Sequence, residues 1–178
     1  MTRKITSLEA DFEHPLQMLE ACHDRIEMQC ETLRKLAEHL PVHGCDAQAQ
    51  QAASNVMRYF DSAGRHHHED EEQDVFPRLA ASAKGLEAER VAFVVGRLIR
   101  EHRELEKAWL KLREALETIA HGDNAPVDEK EVDRFCRLYK NHIGMERDTL
   151  IPLAMQLVSV EDMAVIGRAM ATRRGVIP

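Results

Sequence analysis

Residues 66–77 read His-His-His-Glu-Asp-Glu-Glu-Gln-Asp-Val-Phe-Pro, and residues 142–152 read His-Ile-Gly-Met-Glu-Arg-Asp-Thr-Leu-Ile-Pro. Aligned on the proline, both segments contain a histidine, three residues, a glutamate, four residues, an apolar residue and the proline. Side chains four residues apart share one face of an α-helix, so His67 with Glu71, and His142 with Glu146, can reach one point. A single pair of this kind is typical of a surface ion pair. Two copies in the same register instead indicate metal ligands delivered by two helices.

Helical periodicity selects His67 from the three consecutive histidines. A register through His68 and Glu72 would place Asp61 and Arg65 in the core, where charged groups without partners are costly. His66 and His68 are therefore predicted to flank the buried stripe without binding the metal. The favoured stripe consists of Val56, Phe60, Ala63, His67 and Glu71.

Composition points to one helical domain. The chain has 178 residues, enough for a sizeable core, and contains only eight glycines and six prolines. Its net charge of −7 and the lack of a Lys/Arg-rich run argue against a nucleic-acid partner. The sequence shows neither a signal peptide nor an apolar stretch of about 18 residues, so we expect a cytoplasmic protein without membrane association. The four cysteines lack metal or disulfide spacing and are expected to be reduced.

Apolar periodicity predicts four long helices and a short fifth one. The first covers 14–40, the second begins near 47 and closes before Lys84-Gly85, and the third covers 87–120. The fourth opens at a capping box, Asp128-x-x-Glu131, and the fifth runs over about 160–172. We predict an all-α, up-down-up-down antiparallel four-helix bundle with a short C-terminal fifth helix. The bundle core would cover about 12–157 of a single domain, 1–178.

One histidine interrupts the apolar stripe of each long helix. Buried polar groups without partners cost roughly 1–3 kcal/mol each, so this core needs a group that satisfies all of them. Six ligands are too many for one tetrahedral zinc but suit two six-coordinate irons that share two carboxylates and a bridging oxygen. About two coordination positions would then stay open to a small ligand. The predicted metal ligands are His23, His67, Glu71, His102, His142 and Glu146.

Two further glutamates bear on the ligand count. Glu27 and Glu106 follow His23 and His102 by four residues, at the edges of their stripes, where a solvated ion pair is the simpler interpretation. If either side chain pointed inward, it would close an open coordination position. A ferritin-like di-iron site would need Glu-x-x-His on two helices, and the chain offers it once in these stripes, at Glu20-x-x-His23.

These residues resemble the hemerythrin-like family, the cation-binding His-His-Glu domains, over roughly residues 12–157. The resemblance implies a helical bundle that holds an oxo- or hydroxo-bridged di-iron centre meeting O2, NO or peroxide. Oxygen-carrying members use five histidines, two of them four apart on the third helix, whereas this chain has Leu98 and Glu106 four residues either side of His102. Those members also use His-x4-Asp on the last helix, where this chain has His-x3-Glu. The pattern is more similar to bacterial di-iron proteins linked to nitrosative stress and iron–sulfur repair. The resemblance rests on His23, His67, Glu71, Glu101, His102, His142, Glu146 and the prolines Pro77 and Pro152.

Three functions follow from this resemblance as alternatives. The chain could reduce peroxide or NO with electrons from a redox partner protein. It could bind or sense O2 or NO without turnover. It could also hold iron or zinc without reacting.

Overall fold

The structure is a computed structural model that describes residues 11–176, and every regular element in that range is helical. This confirms the prediction of an all-α chain with a short C-terminal fifth helix. The helices are α1 (Pro15–His43), α2 (47–82), α3 (Leu86–Ala120), α4 (129–157) and α5 (Val160–Arg173). Helix α2 is made of the consecutive segments Ala47–Tyr59, Phe60–Gly64, Arg65–Asp70, Glu71–Val75 and Phe76–Ser82. Helix α4 is made of Glu129–Met145, Glu146–Leu150 and Ile151–Leu157.

The helix ends follow local sequence signals with one exception. The Ser159 side chain accepts a hydrogen bond from the backbone N–H of Asp162 at 3.1 Å and thereby caps α5 as an N-cap residue should. The first helix does not end at Pro41 but continues to His43. Pro41 lies in the last turn, where the loss of one backbone donor removes a single helical bond. Gly44 ends the helix with φ +69° and donates its N–H to the carbonyl of Leu40 at 2.9 Å.

Both copies of the repeated motif contain a π-helical turn that opens at the glutamate. These turns are Glu71–Val75 and Glu146–Leu150, and each directly precedes an α-helical segment with proline in its first turn. The N–H of the residue before each proline donates to the carbonyl of the glutamate, five residues earlier. A proline has no N–H and its ring clashes with the carbonyl four residues earlier in a regular helix. We attribute the widened turns to Pro77 and Pro152, and such turns occur often at functional sites.

The chain divides into two compact units, and each has its own core. The first unit contains the described residues through Asp24, His66–Ile99, and the residues from Gly144 onward. The second unit contains Arg25–Arg65 and Arg100–Ile143. The prediction of a single domain stays a prediction.

The core of the first unit joins the motif-bearing segments to the C-terminal helix. Helix α5 contributes Ile166 and Met170 to this core. Gly167 of the same helix lies against the backbone of Phe12 so closely that a Cβ would collide with the Phe12 carbonyl oxygen. The other buried members include Leu19, Val75, Leu79, Leu98, Leu150 and Leu153.

The second unit is a bundle of four helical segments around an aromatic core. The S–H of Cys136 donates a hydrogen bond to the carbonyl of Cys30 at 3.6 Å, and Arg34 pairs with Asp133 at 3.5 Å. The partner number on α4 falls as the number on α1 rises, so the two helices run antiparallel here. The ring of Phe60 packs against three aromatic neighbours from α3 and α4. These neighbours are Trp109, Phe135 and Tyr139.

Among the described residues, no helix is both long and apolar enough to cross a membrane.

A glycine pair tests the packing of α5. We expect Gly167→Ala to destabilise the metal-free protein by about 1–3 kcal/mol, because the backbone of Phe12 must move to admit the new methyl group. A Cβ on Gly144 would meet nothing within 4 Å beyond its own helix backbone and chain neighbours, so Gly144→Ala should stabilise the helix by about 0.5–1 kcal/mol. Thermal or urea unfolding of both variants measures the difference. Equal stability in the two variants would contradict the close approach of Phe12.

Candidate metal centre

Four of the six predicted ligands meet in the first unit. His23 comes from α1, His67 and Glu71 from α2, and Glu146 from α4. All four side chains are 0% exposed. Such complete burial of two carboxylates and two imidazoles is unusual, because charged side chains are almost never fully buried without compensation.

The distances from His67 to the two glutamates of this quartet suit ligands of a common ion. The Nε2 atom of His23 lies 2.6 Å from Oε2 of Glu146. The Nε2 atom of His67 lies 3.8 Å from Oε2 of Glu146 and 3.9 Å from Oε2 of Glu71, which is too far for a hydrogen bond. Two ligands at opposite sides of one ion, each about 2.1 Å away, are about 4.2 Å apart. One ligand atom from each of the four residues lies within 4.8 Å of all the others.

The charge of the quartet also calls for a cation. Two ionised carboxylates and two neutral histidines would carry a charge of −2, and burying each ion costs several kcal/mol. Burial lowers the pKa of His67, but Glu71, a hydrogen bond with Cys22, and Glu146 together outweigh it and hold that pKa well above its usual range. In the metal-free protein, a proton on His67 would offset one of these two negative charges. The residues present fit a metal ion by their burial, their donor atoms and their charge.

The other two predicted ligands form a pair in the second unit. His102 of α3 and His142 of α4 are 1% and 0% exposed, and their Nε2 atoms lie 3.1 Å apart. On the far side of its ring, Nδ1 of His142 lies 3.0 Å from Oε2 of Glu101. When Nδ1–H donates to this carboxylate, the lone pair of His142 is on Nε2, which faces His102. The carboxylate thus selects the tautomer that a metal ligand requires.

Burial separates the two further glutamates from these six residues. Glu27 and Glu106 are exposed, which agrees with their interpretation as surface groups. His66 and His68 are half-buried, and the Nε2 atom of His68 is itself buried. Glu101 contacts His142 through an orienting hydrogen bond that periodicity does not predict, because it depends on how α3 and α4 are rotated about their axes.

Comparison with known proteins is consistent with this arrangement. The family model described as "Hemerythrin HHE cation binding domain" matches residues 14–154. A Haemophilus influenzae protein, described only as uncharacterized, is 28% identical over 167 residues, which cover 94% of this chain and 94% of that protein. The matched range includes all six buried residues described above.

Proposed function

The chain belongs to the family of hemerythrin HHE cation-binding domains, and from this premise we propose that it is a non-haem di-iron protein that reacts with a small oxidant. The oxidant would be O2, NO or peroxide, and the setting oxidative or nitrosative stress or iron handling. The observation that carries the proposal is the fully buried quartet of two carboxylates and two imidazoles in the first unit. The proposed ligands of the two irons are His23, His67, Glu71, His102, His142 and Glu146.

Iron is favoured over zinc by the donor set. Six ligands exceed what a tetrahedral zinc ion accepts, and carboxylates that bridge suit ions of higher coordination number. When bound, the irons would supply redox chemistry toward a small oxidant. The set of four histidines has one fewer than the five-histidine carriers, which leaves one more coordination position and favours reaction over reversible storage.

The protein's own residues have three tasks in this proposal. Glu71 and Glu146 supply the negative charge that holds the ions in a buried site. His67 would bind a metal only as the neutral imidazole and so would have to release its proton. Glu101 accepts a hydrogen bond from Nδ1 of His142 and would thereby leave the Nε2 lone pair available to a metal.

Apolar neighbours along the same helices would restrict access to small neutral molecules. Leu98 and Leu105 lie one turn before and after His102 on α3, and both are buried. The ring of Tyr139 is buried one turn before His142, with ring centroids 6.5 Å apart. Surroundings of this kind admit small neutral ligands and exclude bulky or charged ones.

The test of the function is a cycle of reduction and oxidation. Protein purified without chelator should contain about two irons per chain, as the donor count requires. After reduction and exposure to air, we expect oxidation that removal of the oxygen does not reverse, and consumption of peroxide when a reductant is supplied. A stable spectrum that vanishes under vacuum and returns with air would overturn the proposal in favour of a carrier or sensor. An iron-loaded protein that reacts with neither O2 nor peroxide would be a metal-holding protein instead.

The histidines that flank His67 provide a further prediction. We expect the double variant His66→Gln, His68→Gln to retain metal close to the wild-type content, because both side chains are half-buried beside the stripe that selects His67. His67→Gln is the matched variant and should lose metal. Elemental analysis of the wild type and the two variants shows which of the three consecutive histidines binds the metal. Loss of half the metal or more from the double variant would shift the ligand assignment by one residue.

A further inference from the structure

We propose that Arg173 and Arg174, at the end of α5, are positioning residues for Glu71, and that the C-terminal helix thereby controls how firmly the centre retains metal. The inference rests on the proposed function, since it concerns the retention of a metal by Glu71. It is carried by a buried ion-pair network within the first unit.

The centre of this network is Asp70, the residue immediately before Glu71. Asp70 is 0% exposed. Its Oδ2 atom accepts a hydrogen bond from Nη2 of Arg174 at 2.6 Å, and its Oδ1 atom accepts one from Nη1 of Arg174 at 3.2 Å. Nη1 of Arg173 also donates to Oδ1 of Asp70. Two guanidinium groups thus bind one buried carboxylate, and forked pairs of this kind fix direction as well as distance.

Arg173 extends the network across the π-helical turn that Glu71 opens. Its Nη2 atom donates to Oδ2 of Asp74 at 2.7 Å and to Oε1 of Gln73 at 3.1 Å. The backbone of Glu71 is therefore held on both sides, by Asp70 before it and by Asp74 after it. Burial lowers the pKa of Arg173, but Asp74 and Asp70 raise it above its usual value, so the guanidinium stays charged.

A second contact ties the start of α5 to the same segment. Arg78 of α2 forms ion pairs with both segments. Its Nη1 atom lies 3.4 Å from Oδ1 of Asp74, and its Nε atom lies 3.7 Å from Oδ1 of Asp162. Arg174 also donates to the carbonyl of Met170 at 3.0 Å, which fixes its side chain to α5 itself. The C-terminal helix is thus attached at both of its ends to the turn that carries Glu71.

The repeated motif provides an internal comparison. In the second copy, the residues that correspond to Asp70 and Asp74 are Met145 and Thr149, which cannot form an ion pair with arginine. The carboxylates that bind the arginines therefore belong to one copy only. This difference indicates that the network is not a general requirement of the motif but a device specific to Glu71.

The experiment measures how fast the protein releases iron. Wild-type protein loaded anaerobically with iron(II) is mixed with an excess of an iron(II) chelator, and the rate of release is followed optically. We expect Arg173→Gln, Arg174→Gln to release iron at least about tenfold faster, the lower end of what outer partners of metal ligands contribute. Asp70→Asn should act in the same direction, since it removes the shared partner of both arginines. Arg168→Gln alters an exposed arginine of α5 and should release iron at the wild-type rate.

Two controls separate positioning from a loss of stability. Gly167→Ala disturbs the packing of α5 without touching the arginines, so its release rate shows what a loosened helix does alone. The lysine variant, Arg173→Lys and Arg174→Lys, keeps the charge and should restore part of the retention. If the double glutamine variant does not fold, the single variant Arg174→Gln replaces it in the release measurement. In that variant Arg173 still binds Asp70 and Asp74, so α5 stays attached. The optical spectrum of the oxidised loaded protein should change in the glutamine variants but not in Gly167→Ala.

The outcomes distinguish this inference from the function on which it rests. A wild-type protein that binds no iron would refute the proposed function and this inference with it. Iron binding by the wild type, with an unchanged release rate in the glutamine variants, would refute only the role of the arginines. Equal acceleration in Gly167→Ala and the glutamine variants would also refute it, since retention would then depend on the packing of α5 alone.

Discussion

Glu146→Ala is expected to abolish most metal binding. Glu146 is fully buried, and its Oε2 atom lies 2.6 Å from His23 Nε2 and 3.8 Å from His67 Nε2. One carboxylate oxygen thus faces both histidines of the quartet, His23 and His67, and alanine removes it entirely. The loss of a direct ligand should exceed the 10–100-fold loss of affinity that follows when an outer partner is removed. Glu71→Ala should have the same direction of effect.

The measurement is the metal content of variants purified together without chelator. Asp148→Ala is the matched control, because Asp148 is an exposed acid in the same π-helical turn. It should retain wild-type metal. Both metal-depleted variants should also melt at a lower temperature than the loaded wild type, since bound metal stabilises the folded state. Full metal occupancy in Glu146→Ala and Glu71→Ala would exclude both residues as ligands.

Periodicity accounts for which side chains point inward. Each predicted ligand occupies a position within an apolar stripe. Burial of that stripe in the core therefore buries the ligand as well. Periodicity favours His67 among the three consecutive histidines because the rival register would bury Asp61. In the structure Asp61 instead pairs with Arg113 at 2.9 Å near the surface. The shared proline register also marked the two segments as copies, and the structure gives both the same π-helical turn.

Helical periodicity does not predict contacts between segments that are distant in sequence. Asp70 lies three residues after His67, at the edge of the same helix face, where a charged side chain is expected to reach solvent unless a partner buries it. Its partners, Arg173 and Arg174, follow more than a hundred residues later and had only the features of a basic helix end. Glu101 was evident as a neighbour of His102 in sequence, whereas its hydrogen bond goes to His142 on another helix. Such pairings depend on the rotation and approach of helices, which local propensity does not specify.

The stability of the metal-free protein and its affinity for metal should change with pH in opposite directions. In the metal-free form, Glu71 and Glu146 overcome the effect of burial and raise the pKa of His67 well above its usual range. A group whose pKa is raised by folding stabilises the folded state below the pKa of the unfolded chain, about 6.5 for histidine. This contribution is lost as the pH rises through the raised pKa of the folded state. The metal-free protein should therefore lose stability as the pH rises above neutrality.

In the loaded form, a metal ion must displace the proton on His67, so acid competes with metal. Affinity should rise about tenfold per pH unit for each displaced proton, until the pH passes the raised pKa of His67. The difference in Tm between loaded and metal-free protein should accordingly widen from about pH 6 to about pH 8, the range in which histidine charge changes. His67→Gln should flatten the decline of the metal-free form, whereas His66→Gln should leave that decline in place. A metal-free Tm that depends on pH equally in wild type and His67→Gln would show that the buried charge of the quartet is balanced elsewhere than on His67.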